Sequence, residues 1–257
     1  MFYYILTIIF LFGLVIGSFL NVVIFRLHSG ESVAVGRSKC THCGHVLNWL
    51  DLIPVFSFIF LGRKCRYCSE KISWQYPLVE LATGALFVVA YWMNAHDSVF
   101  SIQYSILILR DWIAIAALIV IFVYDLKWMI IPDSVVLPAL VAVAILNFFI
   151  GVPIISMAIG LAIGFGFFGL QYVVSKGTWI GGGDLRLGAL MGVLLGWPLI
   201  LVALFLSYII GAAISLVLIV QKKATAKSQV PFGVFLAPAA IVALFWGQKI
   251  LSWYLGG

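Results

Sequence analysis

Charge is what this chain has least of. Only 9% of its 257 residues are charged, against 64% that are hydrophobic. Soluble domains carry about 25% charged residues, so the shortage excludes a water-soluble globular protein and predicts a polytopic membrane protein. Cysteine is scarce too, with four residues in two pairs, few enough to be accounted for one by one. A basic leader is missing. Met1 to Phe25 holds no charge and is followed by Arg26, so this stretch reads as a retained first helix rather than a cleaved signal peptide. No long repeat or low-complexity tract is present. The glycine run at 181–183 lacks the lysine and hydroxyl of a phosphate-cradling loop. The net charge of +6 does not point to nucleic acid, because the basic residues sit between apolar spans, as topology determinants do.

What is present are apolar runs of membrane length. About 20 such residues cross a bilayer, and the runs predict about eight transmembrane helices, near 3–25, 76–94, 108–128, 134–151, 154–174, 185–197, 199–220 and 233–254. The sixth is short and is parted from the seventh only by Gly196-Trp197-Pro198. Positive charge follows the first span, which predicts an outside N-terminus and, after eight crossings, an outside C-terminus. On that topology the inside loops hold Arg26, Arg37, Lys39, Arg63, Lys64, Arg66, Lys71, Lys127, Lys176, Arg186, Lys222, Lys223 and Lys227. Arg110 and Lys249 fall outside. Thirteen of fifteen cations on one side support the span count and the orientation together. The expected division is a first helix (1–25), a cytoplasmic zinc-knuckle domain (26–75) and a membrane core of about seven helices (76–257).

The polar insert from Arg26 to Trp74 carries Cys40-Thr41-His42-Cys43 and Cys65-Arg66-Tyr67-Cys68. Two Cys-x-x-Cys knuckles at this separation suit a tetrahedral Zn²⁺ held by Cys40, Cys43, Cys65 and Cys68. About 50 residues cannot build a dry core alone, so a structural metal supplies the missing stability. Two disulfides are the alternative, disfavoured in a reducing cytosol. His42 and His45 lie beside the first knuckle and are expected to be solvated or second-shell groups.

Carboxylates inside or near spans ask for a reason, since an Asp at mid-bilayer costs about 2.5–3.5 kcal/mol on insertion scales. Glu80, less than two turns into the second span, reads equally as a snorkelling group or as a ligand contact. The third span runs into Asp125, with Asp133 eight residues on and Pro132 interrupting the helix between them. The fifth span leads into Gly181-Gly182-Gly183-Asp184. Both stretches fall at predicted inner membrane ends, so Asp125 and Asp184 can lie at similar depth. The glycines, lacking Cβ atoms, let a backbone or substrate strand come close to Asp184.

Two neighbouring carboxylates cannot easily both ionise, so such a pair shares a proton. The ionised member draws a proton from water while the protonated member donates to a scissile carbonyl. Peptide hydrolysis is one reading of the pair. Cation-coupled transport and helix-end capping are the others. Nucleophilic catalysis is poorly supplied: Ser18 lies in an apolar helix with no histidine near it in sequence.

Taken together these motifs resemble the bacterial type IV prepilin peptidases, which are GxGD membrane aspartyl proteases. The match rests on Gly17 to Leu27, the paired Cys-x-x-Cys loop, Tyr76-Pro77-Leu78-Val79-Glu80, the Asp125–Asp133 segment, Gly181 to Asp184 and Pro231-Phe232-Gly233, all in the family's order. The resemblance implies an inner-membrane peptidase that removes basic leaders from prepilins and pseudopilins at the cytoplasmic face, with Asp125 and Asp184 as the catalytic pair. Asp133 matches a position not usually assigned the chemistry. The resemblance further implies methylation of the new N-terminal residue with S-adenosylmethionine, an activity associated with members that keep the cysteine loop. Glu80 is the candidate for that methylation site. Arg186 stands where the family commonly has Lys, and Ile180 where a small residue or Met is usual. The substrates would serve a type IV pilus, a type II secretion apparatus or competence machinery.

Overall fold

A computed structural model describes residues 2–94, 101–222 and 230–256. Lys223 and Lys227, counted above among the inside cations, lie outside the described residues. The described residues form nine helices: α1 (Phe2–Ser29), α2 (Phe56–Phe60), α3 (Gln75–Asn94), α4 (Ile102–Trp128), α5 (Asp133–Ile150), α6 (Ile154–Ser175), α7 (Gly182–Leu195), α8 (Leu199–Val220) and α9 (Gly233–Tyr254). The only extended pairing among them is two isolated bridges, Lys39 with Val46 and Lys64 with Lys71. Seven helices are long and apolar enough to cross a membrane. The chain is an all-helical, multi-pass membrane protein.

The eighth expected span is present as α7 but has only 14 residues, about 21 Å of helix. Leu187 to Leu195 are all buried, because α5, α6 and α9 pack around it. A helix apolar on every face is explained when every face meets protein.

The chain divides into two compact units, Met1–His96 and Asp97–Gly257. In the first, α1 packs on α3 through small residues. A Cβ on Gly13 would lie 2.6 Å from the Gly84 Cα, and one on Gly17 would lie 2.6 Å from the Glu80 Cα. Lipid tails are as apolar as these helices, so close backbone packing carries their association. Helix α3, expected from sequence within the 76–257 stretch, thus packs in the unit that holds the cysteine loop. Asn21 adds a polar tie: its amide donates to the Tyr76 carbonyl (3.2 Å) and its Oδ1 accepts from Gln75 (3.1 Å).

In the second unit, α6 and α7 meet through Gly160 and Gly164 against Gly192 and Gly188. A methyl group at any of the four would overlap the opposite backbone. In the first half of α4, Arg110 donates to Asp111 (2.9 Å) and to the Asn147 Oδ1 (3.0 Å), while Asn147 donates to the Val193 carbonyl (2.7 Å). The last helical carbonyls of α7 have no partner of their own in the helix, and Asn147 supplies one. Arg110 was expected as an outside cation, two residues into the span placed at 108–128. It is buried in α4, which begins at residue 102 rather than 108, and its charge is met by Asp111.

Candidate active site and cysteine centre

Helix α4 stops just past Asp125. Met129 turns left-handed at φ 54° and donates its N–H to the Asp125 carbonyl at 2.8 Å. The chain then runs through Ile130 and Ile131 to Pro132, which cannot extend a helix behind it and opens α5. Ile131 is the hinge-pin of the site. A Cβ on Gly183 would lie 2.8 Å from the Ile131 Cβ, and one on Gly233 would lie 3.2 Å from its Cδ1. The glycine run before Asp184 and the start of α9 therefore close on the same buried side chain.

Each aspartate also meets a helix N-terminus. Asp184 stands in the first turn of α7, and its Oδ2 accepts the Gly181 N–H at 3.0 Å. The Oδ2 of Asp125 accepts the Val234 N–H of α9 at 3.2 Å. Helix N-termini present unpaired N–H groups and partial positive charge, so both carboxylates sit where an anion is favoured. Both are buried, Asp125 at 4% exposure and Asp184 at 8%. Helix-end capping, weighed above as an alternative to chemistry, is thus present at both residues.

The position of α9 follows from Phe232. Its ring packs against Tyr208 of α8, Phe168 of α6 and Phe235, with centroids 5.0 to 6.1 Å apart. That aromatic cluster fixes the start of α9 and so holds the Val234 N–H on Asp125. Gly233 has no room for a side chain, since a Cβ would lie 2.8 Å from the Asp125 Oδ2.

The three glycines before Asp184 do different work. Gly182 meets nothing within 4 Å, whereas Gly183 is pressed on Ile131. Asp133, at the start of α5, forms an ion pair with Arg186 of α7; both side chains are about half exposed.

In the first unit the two knuckles repeat one geometry. Cys40 N–H bonds the His45 carbonyl and Gly44 N–H bonds the Cys40 carbonyl; Cys65 and Glu70, then Ser69 and Cys65, repeat the pattern. Gly44 and Ser69 fill the left-handed position of each loop, at φ 70° and 59°. The four sulfurs all lie within 4.8 Å of one another, with Cys40 and Cys68 3.9 Å apart. Tetrahedral Zn²⁺ with bonds of about 2.3 Å needs sulfurs about 3.8 Å apart, so the cluster is compatible with zinc. The Glu70 backbone hydrogen bond pulls the Cys68 thiol down, but desolvation and the crowding of Cys65, Cys43 and Cys40 outweigh it and push it up to about 12. A cation is what lets such a cluster ionise together.

Asp51 braces the second knuckle to the intervening 3₁₀ turn (Trp49–Leu52). Its carboxylate accepts Arg66 at 2.7 Å, Tyr67 at 3.0 Å and the Asn48 N–H at 3.1 Å. Burial opposes ionisation of Asp51, but these bonds outweigh it and hold the carboxyl below its usual range. His45 stacks on Tyr67 with centroids 3.7 Å apart, a packing role between the knuckles that suits its expected place outside the ligand set.

Glu80 does not reach solvent as a snorkelling group would. It is buried at 6% exposure and its Oε2 accepts the Val55 N–H at 2.7 Å, facing the loop rather than solvent.

Residues 11–94 match the bacterial peptidase A24 N-terminal domain, and residues 112–216 match the type IV leader peptidase family. The prepilin leader peptidase/N-methyltransferase of Bacillus subtilis (strain 168) is 32% identical over 97% of this chain and 98% of its own length. The chain belongs to the type IV leader peptidase family. Proteins of the same name from Aeromonas hydrophila and Pseudomonas putida are 31% and 30% identical, each over 97% of this chain and 93% of their own length. No solved structure matches. None of these relatives is named as a transporter, and the cation-coupled reading finds no support.

The roles of two residues escaped the sequence reading. Arg26 was taken as a topology cation and as part of the Gly17–Leu27 match. In the structure it is 7% exposed and its guanidinium donates to the carbonyls of Ser32, Val33, Val35 and Arg37, at 2.9 to 3.4 Å. It organises the chain that leads into the first knuckle. Ile131 lay within the Asp125–Asp133 match but was given no role, because one isoleucine among 64% hydrophobic residues is indistinguishable until the helices meet on it.

Proposed function

We propose that this chain is a membrane aspartyl endopeptidase that removes the basic leader of type IV prepilins and pseudopilins. Asp125 and Asp184 are its catalytic pair. The observation that carries the reading is that both carboxylates are buried and each is bonded at a helix N-terminus, while the glycines beside those bonds, Gly183 and Gly233, both pack on Ile131. A prepilin presents a basic leader followed by an apolar helix of membrane length, which sets its cleavage point at the cytoplasmic interface. Asp125 and Asp184 belong at that depth, in a multi-pass inner-membrane protein with both termini outside.

In this mechanism the pair shares one proton. The ionised member takes a proton from a water held between them, the resulting hydroxide attacks the scissile carbonyl, and the protonated member donates to its oxygen. The tetrahedral intermediate collapses with a proton passing to the leaving amine. Hydrogen bonds from Gly181 and Val234 fix one oxygen of each aspartate, so the pair is oriented before substrate arrives. Gly182, with open space around it, is where an extended substrate backbone can come close.

The second activity proposed is methylation of the new N-terminal residue, with S-adenosylmethionine as methyl donor. It is assigned to the unit holding residues 26–75 and to Glu80. The buried Glu80 carboxylate supports this through the order it imposes on segment 54–56. A structural Zn²⁺ on Cys40, Cys43, Cys65 and Cys68 would hold the two knuckles together.

The test is a detergent assay with a prepilin-like peptide and labelled S-adenosylmethionine. Cleavage by the unaltered chain, lost in Asp125→Asn and in Asp184→Asn, supports the peptidase. Cleavage that persists without either carboxylate overturns it. Methyl transfer seen only on processed peptide supports the second activity, and none on that peptide removes it.

A further inference from the structure

Segment 53–60 contains a backbone conformation that side chains seldom adopt. Val55 has φ 62° and ψ −49°, in a region costly for a β-branched residue. The Phe56 N–H closes a γ-turn on the Pro54 carbonyl at 2.6 Å. The Val55 N–H is thereby turned away from the loop, and Glu80 receives it at 2.7 Å. A strained turn persists only where its surroundings fix it, and here a carboxylate of a membrane-spanning helix does so.

The depth of that anchor is informative. Helix α3 has 20 residues, about 30 Å of length, which matches the hydrocarbon thickness with no slack. Its first turns therefore lie at the edge of the hydrocarbon. Glu80 is the sixth residue of α3, so Val55 runs alongside those first turns. Phe58 adds a second tie at the same level. It is buried, and its ring lies 5.0 Å from that of Trp74, the residue just before α3.

With Phe58 turned inward, helix α2 presents Phe56, Ile59 and Phe60 outward, at 50%, 64% and 84% exposure. Trp49 and Ile53, in the residues leading up to α2, are exposed as well. Such a patch is unusual on a loop in water. Arg63 and Lys64 follow immediately, both exposed, and the Arg63 guanidinium lies over Trp74 at 5.4 Å. Apolar side chains bordered by tryptophans and cations are what the headgroup boundary selects.

We propose that segment 49–60 is an interfacial membrane element. The face formed by Phe56, Ile59 and Phe60 is seated in the bilayer surface, Arg63 and Lys64 meet anionic headgroups, and Glu80 latches the element to α3 through Val55. The cysteine knuckles are then held against the membrane by more than the two helices that flank them. The occupant is lipid. A second copy of the chain covering the same face is the other occupant the experiment separates.

The test uses the unaltered full chain in phosphatidylethanolamine–phosphatidylglycerol vesicles with a trace of phosphatidylglycerol carrying a photoactivatable diazirine on its acyl chain. After illumination and proteolysis, lipid adducts are mapped by mass spectrometry. The expected result is labelling of residues 49–60 at least about tenfold above residues 40–45, and near the level at the exposed Leu78 of α3. The Ile59→Asp/Phe60→Asp double variant should lose most labelling at 49–60 while keeping that at Leu78. Labelling of 49–60 no greater than of 40–45 overturns the proposal, as does labelling unchanged by the double substitution. A second copy of the chain on this face would produce the first of these results.

Discussion

The Oδ2 of Asp125 accepts a hydrogen bond from the backbone of Val234, 109 residues further along the chain. That single bond brings the end of α4 to the start of α9, and Gly233 permits it because a Cβ there would lie 2.8 Å from the same oxygen. Gly233→Ala is therefore expected to displace the carboxylate without removing it. Leader cleavage should fall by about 10–100-fold, since small misplacements of reacting groups carry losses of this order. The amount of folded protein should change little. Full activity in this variant would show that the orientation of Asp125 does not matter.

The three glycines before Asp184 separate by their surroundings. Gly183→Ala presses on Ile131 and should reduce cleavage, whereas Gly182→Ala enters open space. Overpacking costs about 1–3 kcal/mol, so Gly183→Ala should also lower thermal stability. A KM raised by Gly182→Ala at unchanged stability would locate the approach of the substrate backbone there. Equal kinetics and equal stability for both variants would contradict this account.

Asp125→Asn and Asp184→Asn should each lower cleavage by about 10²–10⁴-fold, the usual worth of a general acid or base. The amide oxygen still accepts the Val234 or Gly181 N–H, so helix capping survives and expression should match the unaltered protein. Normal cleavage by either variant would leave capping as the whole role of that residue.

Removing the metal from the cysteine cluster should loosen segment 38–72 and leave the helices α4–α9 folded. Structural zinc contributes about 10–16 kcal/mol in small isolated domains, more than this loop can replace from its own packing. Metal analysis should find one Zn²⁺ per chain, and none in the Cys40→Ser/Cys43→Ser variant. Limited proteolysis of that variant should cut first within 38–72. Absence of zinc from the purified unaltered protein would remove the metal from the account.

Arg26→Lys tests the guanidinium fork. A lysine keeps the positive charge but cannot reach four carbonyls from one planar group. Segment 30–37 should exchange its amide hydrogens faster, with a local loss of about 1–3 kcal/mol, while membrane insertion is unchanged. Unaltered exchange would mean that Arg26 acts only as a topology cation.

Much of this was legible in the chain. Apolar runs fixed by bilayer thickness revealed seven long helices, and the knuckle spacing revealed the four sulfurs, because both are local properties of the sequence. Asp125 and Asp184 stood out because a carboxylate is expensive in an apolar setting, wherever it folds. The same logic put Arg110 near the edge of its span, but only the structure shows Asp111 and Asn147 around it. What the sequence by itself determined was which residues the membrane would take up and which chemistry it tolerates there. Only the tertiary structure decided that Gly183 and Gly233 meet on Ile131, that α7 is sheathed by protein, and that Glu80 holds Val55. Those side-chain contacts join positions 25 to 102 residues apart, and no periodicity along the chain encodes a distance that packing alone creates.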